Sequence, residues 1–244
     1  MHGARAGGAE GGTRRYDAVL LDMFGTLVDF RTTFNATLRR ILTDLGLEGQ
    51  ARVFQRNWRT FTFQGDDEGG FITVHEDFKR GLESTLRSLG VGGELRPYCD
   101  DVIDELFERL RAADLYPEVR GTIEGLDGAG VAWAVVSNID EDDLRTILAR
   151  RGLRPLAAVS SEAARSYKPD AGPFMAALAS TGVGAARALH VGDSPLADVD
   201  GAQRHGISAA WLNRYNDPYP PGLLEPAHTM HDLRPLLSIV DGRE

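Results

Sequence analysis

The sequence predicts an α/β protein, a doubly wound parallel sheet with a helical subdomain inserted after the first strand. Two patterns carry that expectation. Short apolar runs without polar alternation, such as Val19-Leu20-Leu21 and Val131 to Val136, are the mark of buried parallel strands and recur with helical patterns between them. From Phe30 to Leu115, by contrast, the apolar residues fall at helical spacing with no strand among them.

In order along the chain, Met1 to Arg15 is rich in Gly, Ala and Arg and is expected to be a disordered tail. Tyr16 to Leu21 is the first strand. Four helical patterns follow, about Phe34–Leu45, Val53–Phe63, Phe71–Leu89 and Leu95–Leu110, and their aromatic residues are expected to form a subdomain core. Residues 16–29 and 116–244 then make the α/β core, with 30–115 as the inserted cap. Within the core a helix is expected from Tyr116 to Gly128, a strand over Val131–Val136 and a helix over Asp140–Arg151. Further strands are expected over Leu156–Ser160, Ala188–Val191 and Ile207–Leu212, the last of the sheet. Helices are expected over Gly172–Thr181, Asp198–His205 and His231–Val240.

Composition narrows the function. The chain has 244 residues and a formal net charge of −9, which argues against nucleic acid or an anionic membrane as partner. The single cysteine, Cys99, forms no internal disulfide, and no apolar run approaches the roughly 20 residues of a membrane span. No apolar signal segment opens the chain, so a cytoplasmic protein is the expectation. Of 27 basic residues only Lys79 and Lys168 are lysines. A lysine kept in so arginine-rich a chain suits a compact point charge beside an anion.

Three strands end in polar groups that an apolar core would not choose: Asp22, Ser137-Asn138 and Asp193. In a parallel sheet these ends share one edge, so the groups converge. Two carboxylates brought together repel unless a cation joins them, and a hard cation such as Mg²⁺ prefers oxygen ligands. The Gly25-Thr26 and Ser137-Asn138 turns offer N–H groups and hydroxyls to an anion, and Lys168 adds charge. A carboxylate nucleophile, Mg²⁺ and a bound anion together describe phosphoryl transfer from a small phosphorylated substrate through an aspartyl-phosphate.

The series Asp22…Gly25-Thr26, Ser137-Asn138, Lys168-Pro169-Asp170 and Gly192-Asp193-Ser194-Pro195…Asp198 resembles the motifs of the haloacid dehalogenase superfamily in order and spacing, over Tyr16 to about Leu212. The resemblance implies a Rossmann-like core with the insert as its cap. It implies Asp22 as nucleophile, Mg²⁺ on Asp22, the Phe24 carbonyl oxygen and Asp193, and Asp198 supporting through water. It also implies Ser137 and Lys168 on the phosphoryl oxygens. One residue departs from the phosphatase pattern. Phe24 stands where most phosphatases of the superfamily carry a second Asp that protonates the leaving oxygen, and it is similar to the Asp-x-Tyr-Gly-Thr pattern of the metal-free 2-haloacid dehalogenases. Asp193 and Asp198 resemble the metal-using phosphatases instead. Electrostatics favours the phosphatase reading, because a second carboxylate beside Asp22 needs a cation. Dehalogenase is the alternative. A phosphonate hydrolase using Lys79 and a non-catalytic binding protein are further readings. Asp66, Asp67, His75 and Glu76 are candidates for a cap acid that replaces the one missing at Phe24. Arg31, near the start of the insert, is a weaker candidate for binding a substrate carboxylate, and His190 is expected to be a packed core histidine.

Overall fold

The computed structural model describes residues 14–65 and 70–243. Strand β1 (Ala18–Leu21) is followed by four helices, α1 (Phe30–Asp44), α2 (Ala51–Phe61), α3 (Val74–Ser88) and α4 (Arg96–Ala112). Then come α5 (Val119–Gly128), β2 (Ala132–Ser137), α6 (Glu141–Arg151), β3 (Ala157–Ser160), the short α7 (Ser161–Ala164) and α8 (Ala171–Thr181). The chain closes with β4 (Ala188–Gly192), a wide turn at Pro195–Asp200 that runs into α9 (Gly201–Arg204), β5 (Ser208–Leu212), β6 (His228–Met230) and α10 (Leu236–Val240).

The six strands form one parallel sheet in the order β3-β2-β1-β4-β5-β6. Alternate side chains pack on opposite faces, and both faces are covered. Val19, Leu21, Trp133, Val135, Leu189 and Val191 join one apolar cluster, while Leu20, Ala134, Val136, Val159 and Ala209 join another with Phe174. A third cluster belongs to α1–α4 and includes Phe54, Trp58, Phe78, Leu82, Ile103 and Phe107.

Several boundaries differ from expectation for local reasons. The sheet does not end at Leu212. β6 adds a sixth strand beside β5, and its short His-Thr-Met sequence has no apolar run to announce it. The last helix begins at Leu236 rather than His231, after Pro235, whose preceding residues are biased away from helical geometry. α3 begins at Val74 rather than Phe71 because Thr73 caps it, its side chain accepting from the Glu76 N–H at 3.3 Å. α5 likewise starts at Val119, beyond Tyr116-Pro117. Of the expected tail, residues 1–13 lie outside the described residues. Arg15 belongs to the fold, its N–H donating to the Val240 carbonyl at 3.0 Å.

Carboxylates of α6 and its N-terminal flank fasten the helical insert to the sheet. Asp140 accepts from the N–H groups of Val74 (2.6 Å) and His75 (3.1 Å), satisfying the start of α3 from across the chain. Asp143 takes the His75 ring at 2.7 Å and the Arg111 guanidinium of α4. Within the insert, Glu76 of α3 receives both Arg96 nitrogens of α4 (2.6 and 3.0 Å) and Arg80 (2.7 Å).

Arg96 beside Glu76 holds that carboxyl at about 2, outweighing desolvation. Its folded value lies below the unfolded one, so the pair stabilises above about pH 4.5 and that contribution is lost as the pH falls towards 2. Glu76→Gln is expected to lower Tm by about 2–4 °C at pH 7, for a loss near 1 kcal/mol. In thermal scans the gap from wild type should narrow below pH 4.5.

Candidate active site

The site forms at the carboxyl edge of the sheet, where the strand order reverses direction between β1 and β4. Leu21 pairs with Val135 on one side and Val191 on the other, so Asp22 emerges one step beyond the paired strands. Its N–H still donates to the Val191 carbonyl at 2.9 Å, which fixes the direction of departure. Ser137 ends β2, and Asp193 follows β4.

Lys168 enters this edge from the loop between α7 and α8 and is buried, 3% exposed. Its ammonium donates to Asp22 Oδ1 (2.7 Å), Asp198 Oδ1 (2.6 Å) and the Val136 carbonyl (2.8 Å), so all three protons are used. Ser137 Oγ donates to the same Asp22 oxygen at 2.8 Å. Asp198 is held in turn by His190 Nε2 (2.9 Å) and the Ser194 N–H (2.9 Å). Asn138 does not direct its amide at the site. Its Oδ1 accepts the Lys168 N–H (2.7 Å) and its Nδ2 donates to the Lys168 carbonyl (3.0 Å), so it clamps the lysine backbone.

Two glycines are dictated by close approach. A Cβ on Gly25, whose φ is +80°, would lie 2.1 Å from Asp193 Oδ2. One on Gly192 would lie 2.2 Å from the Asp198 carboxyl carbon. The Gly25 N–H does not face an anion, since it donates to the Val28 carbonyl at 2.8 Å. Thr26 is fully buried, and its hydroxyl has no hydrogen-bond partner among the described residues. Arg214, just past β5, pins this loop by donating to the carbonyls of Gly25 (3.1 Å) and Thr26 (2.7 Å). It also lies over the Tyr116 ring at 3.6 Å and pairs with Glu118 at 2.7 Å.

The charges do not balance among the side chains. Asp22, Asp193 and Asp198 present oxygens within 4.8 Å of one another, and the one ammonium among them bonds only Asp22 and Asp198. Desolvation raises Asp22, against the pull of Lys168. Desolvation and the charges of Asp22 and Asp198 push Asp193 well above the usual carboxylate range, although the residue stands on the exposed side of the group. Desolvation also acts on Asp198, but Lys168 and His190 outweigh it and hold that carboxyl low. Burial keeps His190 neutral by lowering it, while Asp198 and Asp22 outweigh desolvation to hold Lys168 charged. Clustered oxygen donors short of positive charge fit a hard divalent cation.

The other candidates are engaged elsewhere. Glu76 is held ionised by Arg96, and the His75 ring stacks on Phe107 with centroids 3.9 Å apart while contacting Asp143. Asp66 and Asp67 lie outside the described residues. Lys79 pairs with Asp104 (2.8 Å) and Asp100 (3.5 Å) of α4. Arg31 pairs with Asp217 at 3.0 Å and lies over Tyr215. Phe24 turns its ring to the insert, 5.8 Å from Phe30, and packs against both the sheet cluster and the insert cluster. His190 is buried beside Phe174 as expected of a core histidine, but it also holds Asp198.

The family model for haloacid dehalogenase-like hydrolases matches residues 16–206. This chain belongs to that family. Among its relatives, haloacetate dehalogenase H-2 of Moraxella sp. is 24% identical over 211 residues, 83% of this chain and 88% of the relative. Phosphoglycolate phosphatase of Pseudomonas savastanoi is 27% identical over 223 residues, 90% of this chain and 78% of the relative. L-2-haloacid dehalogenase from Xanthobacter autotrophicus has the same fold, with a TM-score of 0.73 at 21% identity over 94% of this chain and all of that one. The chain is thus a haloacid dehalogenase-like hydrolase with relatives of both activities. No helix among the described residues is long and apolar enough to cross a membrane.

Arg214 and Glu118 are nearly buried, at 8% and 12% side-chain exposure, so removing one leaves the other charge uncompensated. Arg214→Met is expected to destabilise by about 3 kcal/mol in denaturant unfolding. Adding Glu118→Gln should restore part of that loss.

Proposed function

We propose that this chain is a Mg²⁺-dependent phosphohydrolase that acts on a small phosphorylated metabolite through an aspartyl-phosphate on Asp22. The observation that carries the reading is the cluster of Asp22, Asp193 and Asp198 around one ammonium. Asp22, Asp193 and the Phe24 carbonyl would hold Mg²⁺, with Asp198 behind them, and the ion supplies positive charge to the phosphoryl oxygens.

The chain's own groups account for the remaining steps. The Asp22 carboxylate attacks phosphorus, and the bond from phosphorus to the leaving oxygen breaks with its electron pair on that oxygen. Phe24 has no proton to give, so the leaving group departs as an anion and is protonated by solvent. Water then attacks the phosphorus of the aspartyl-phosphate, releasing phosphate and restoring the Asp22 carboxylate. Lys168 and Ser137 orient the nucleophile through Asp22 Oδ1, and as Asp22 bonds to phosphorus their protons would turn to the phosphoryl oxygens. Asn138, His190 and Ser194 keep Lys168 and Asp198 in register.

One observation favours a second reading. Phe24 stands where a leaving-group acid would, and displacement of halide from a 2-haloacid needs none. There Asp22 would attack carbon, and Asp193 would have no task.

Release of phosphate from p-nitrophenyl phosphate and of halide from chloroacetate, with Mg²⁺ and with EDTA, separates the two. The expected outcome is Mg²⁺-dependent phosphate release that Asp22→Asn lowers by about 10⁴-fold or more without unfolding the protein. Phe24→Asp should raise turnover of esters with poor leaving groups, by up to about 10²-fold. Halide release indifferent to EDTA would select the second reading.

A further inference from the structure

Resting on the phosphohydrolase reading, we propose that the substrate is a phosphate of a weakly basic oxygen carried on an aromatic body, such as an acyl or aryl phosphate. Phe63 is then a specificity-determining residue for it.

A continuous series of ring contacts joins the residue two past Asp22 to the residue before Lys168. It begins at Phe24, two residues past Asp22, and runs through Phe30 (5.8 Å), Phe34 (5.2 Å) and Trp58 (4.9 Å). From Trp58 it continues to Phe78 (6.0 Å), Phe63 (5.8 Å) and Tyr167 (5.3 Å), which directly precedes Lys168. Trp58 and Phe78 are core, but Phe24, Phe30 and Phe34 are only partly buried and Phe63 is 39% exposed.

Phe63 touches core rings on one side but stays 39% exposed, so burial alone does not account for its position. Its φ is +58°, a left-handed conformation that a bulky residue keeps only under constraint. The constraint is Asp77, 2% exposed, whose carboxylate accepts from the N–H groups of Phe63 (2.6 Å) and Gln64 (3.3 Å). A buried carboxylate thus holds a phenyl ring at the surface, edge-on to Tyr167, the residue before Lys168. Strain of this kind clusters where a side chain must be presented to a ligand.

Two features select the occupant. Phe24 cannot protonate a leaving oxygen, so the leaving group must be a weak base. Lys79 and Arg31 of the insert are already paired with Asp104 and Asp217, which weakens their pull on an anionic tail. An aromatic leaving group meets both conditions and stacks on the rings.

Acetyl phosphate and benzoyl phosphate test this, because both release carboxylates of similar basicity and differ in the ring. The expected kcat/KM is about 10–100-fold higher for benzoyl phosphate. Phe63→Ala should lower that preference at least about fivefold, chiefly through KM for benzoyl phosphate. Phe63→Leu, which keeps the apolar bulk, should lose less. Equal kcat/KM for the two compounds in wild type, or a preference unmoved by Phe63→Ala, would overturn the proposal while leaving the phosphohydrolase reading intact. Absence of Asp22-dependent phosphate release from both compounds would overturn the phosphohydrolase reading itself.

Discussion

The buried ammonium of Lys168 is the interaction on which the site depends. It bridges Asp22 and Asp198, and its third proton goes to the backbone at Val136. Three acceptors around one small nitrogen suit an ammonium, whereas a planar guanidinium would need a wider, flatter space. That is a physical reason for a lysine here in a chain that otherwise favours arginine. The surroundings hold the lysine from both ends. Asn138 fixes its backbone, and His190 with Ser194 fixes the Asp198 carboxylate it binds. The ammonium lowers the cost of two buried carboxylates but leaves Asp193 uncompensated, and that deficit points to a cation.

The sheet and the insert make different contributions. Parallel strands bring Asp22, Ser137 and Asp193 to one edge whatever the insert does. The insert supplies the apolar surroundings and is fastened by polar contacts of its own, the Asp140 and Asp143 carboxylates on α3 and α4. Phe24 belongs to both, since it follows Asp22 by two residues and packs on the sheet cluster and the insert cluster. The ring at that position lies beside Phe30 and between the two apolar clusters, so this flank of the edge is apolar.

Much of this was legible in the residues. Buried parallel strands read as unbroken apolar runs, and the polar residues that end them mark the site. Helical spacing likewise disclosed α1–α4, although caps such as Thr73 and breaks such as Pro235 moved their neighbours' boundaries by a few residues. What stayed hidden depends on contacts distant in sequence. Arg214 carries no local signal, because its targets Gly25 and Thr26 lie nearly two hundred residues away. Nothing local announces that the Asn138 amide clamps the Lys168 backbone, and Glu76 reads as a possible acid until Arg96 is seen beside it. β6 has too few apolar residues to be recognised without its partner β5.

Calorimetric titration of Mg²⁺ into the wild-type protein and Asp193→Asn tests the central claim most directly. Oxygens of Asp22, Asp193 and Asp198 lie within 4.8 Å of one another and the ammonium bonds only Asp22 and Asp198, so a bound cation should depend on Asp193. One Mg²⁺ per chain is expected in the wild type, with binding lost in Asp193→Asn. No Mg²⁺ binding by the wild type, or binding that Asp193→Asn leaves unchanged, would contradict the claim.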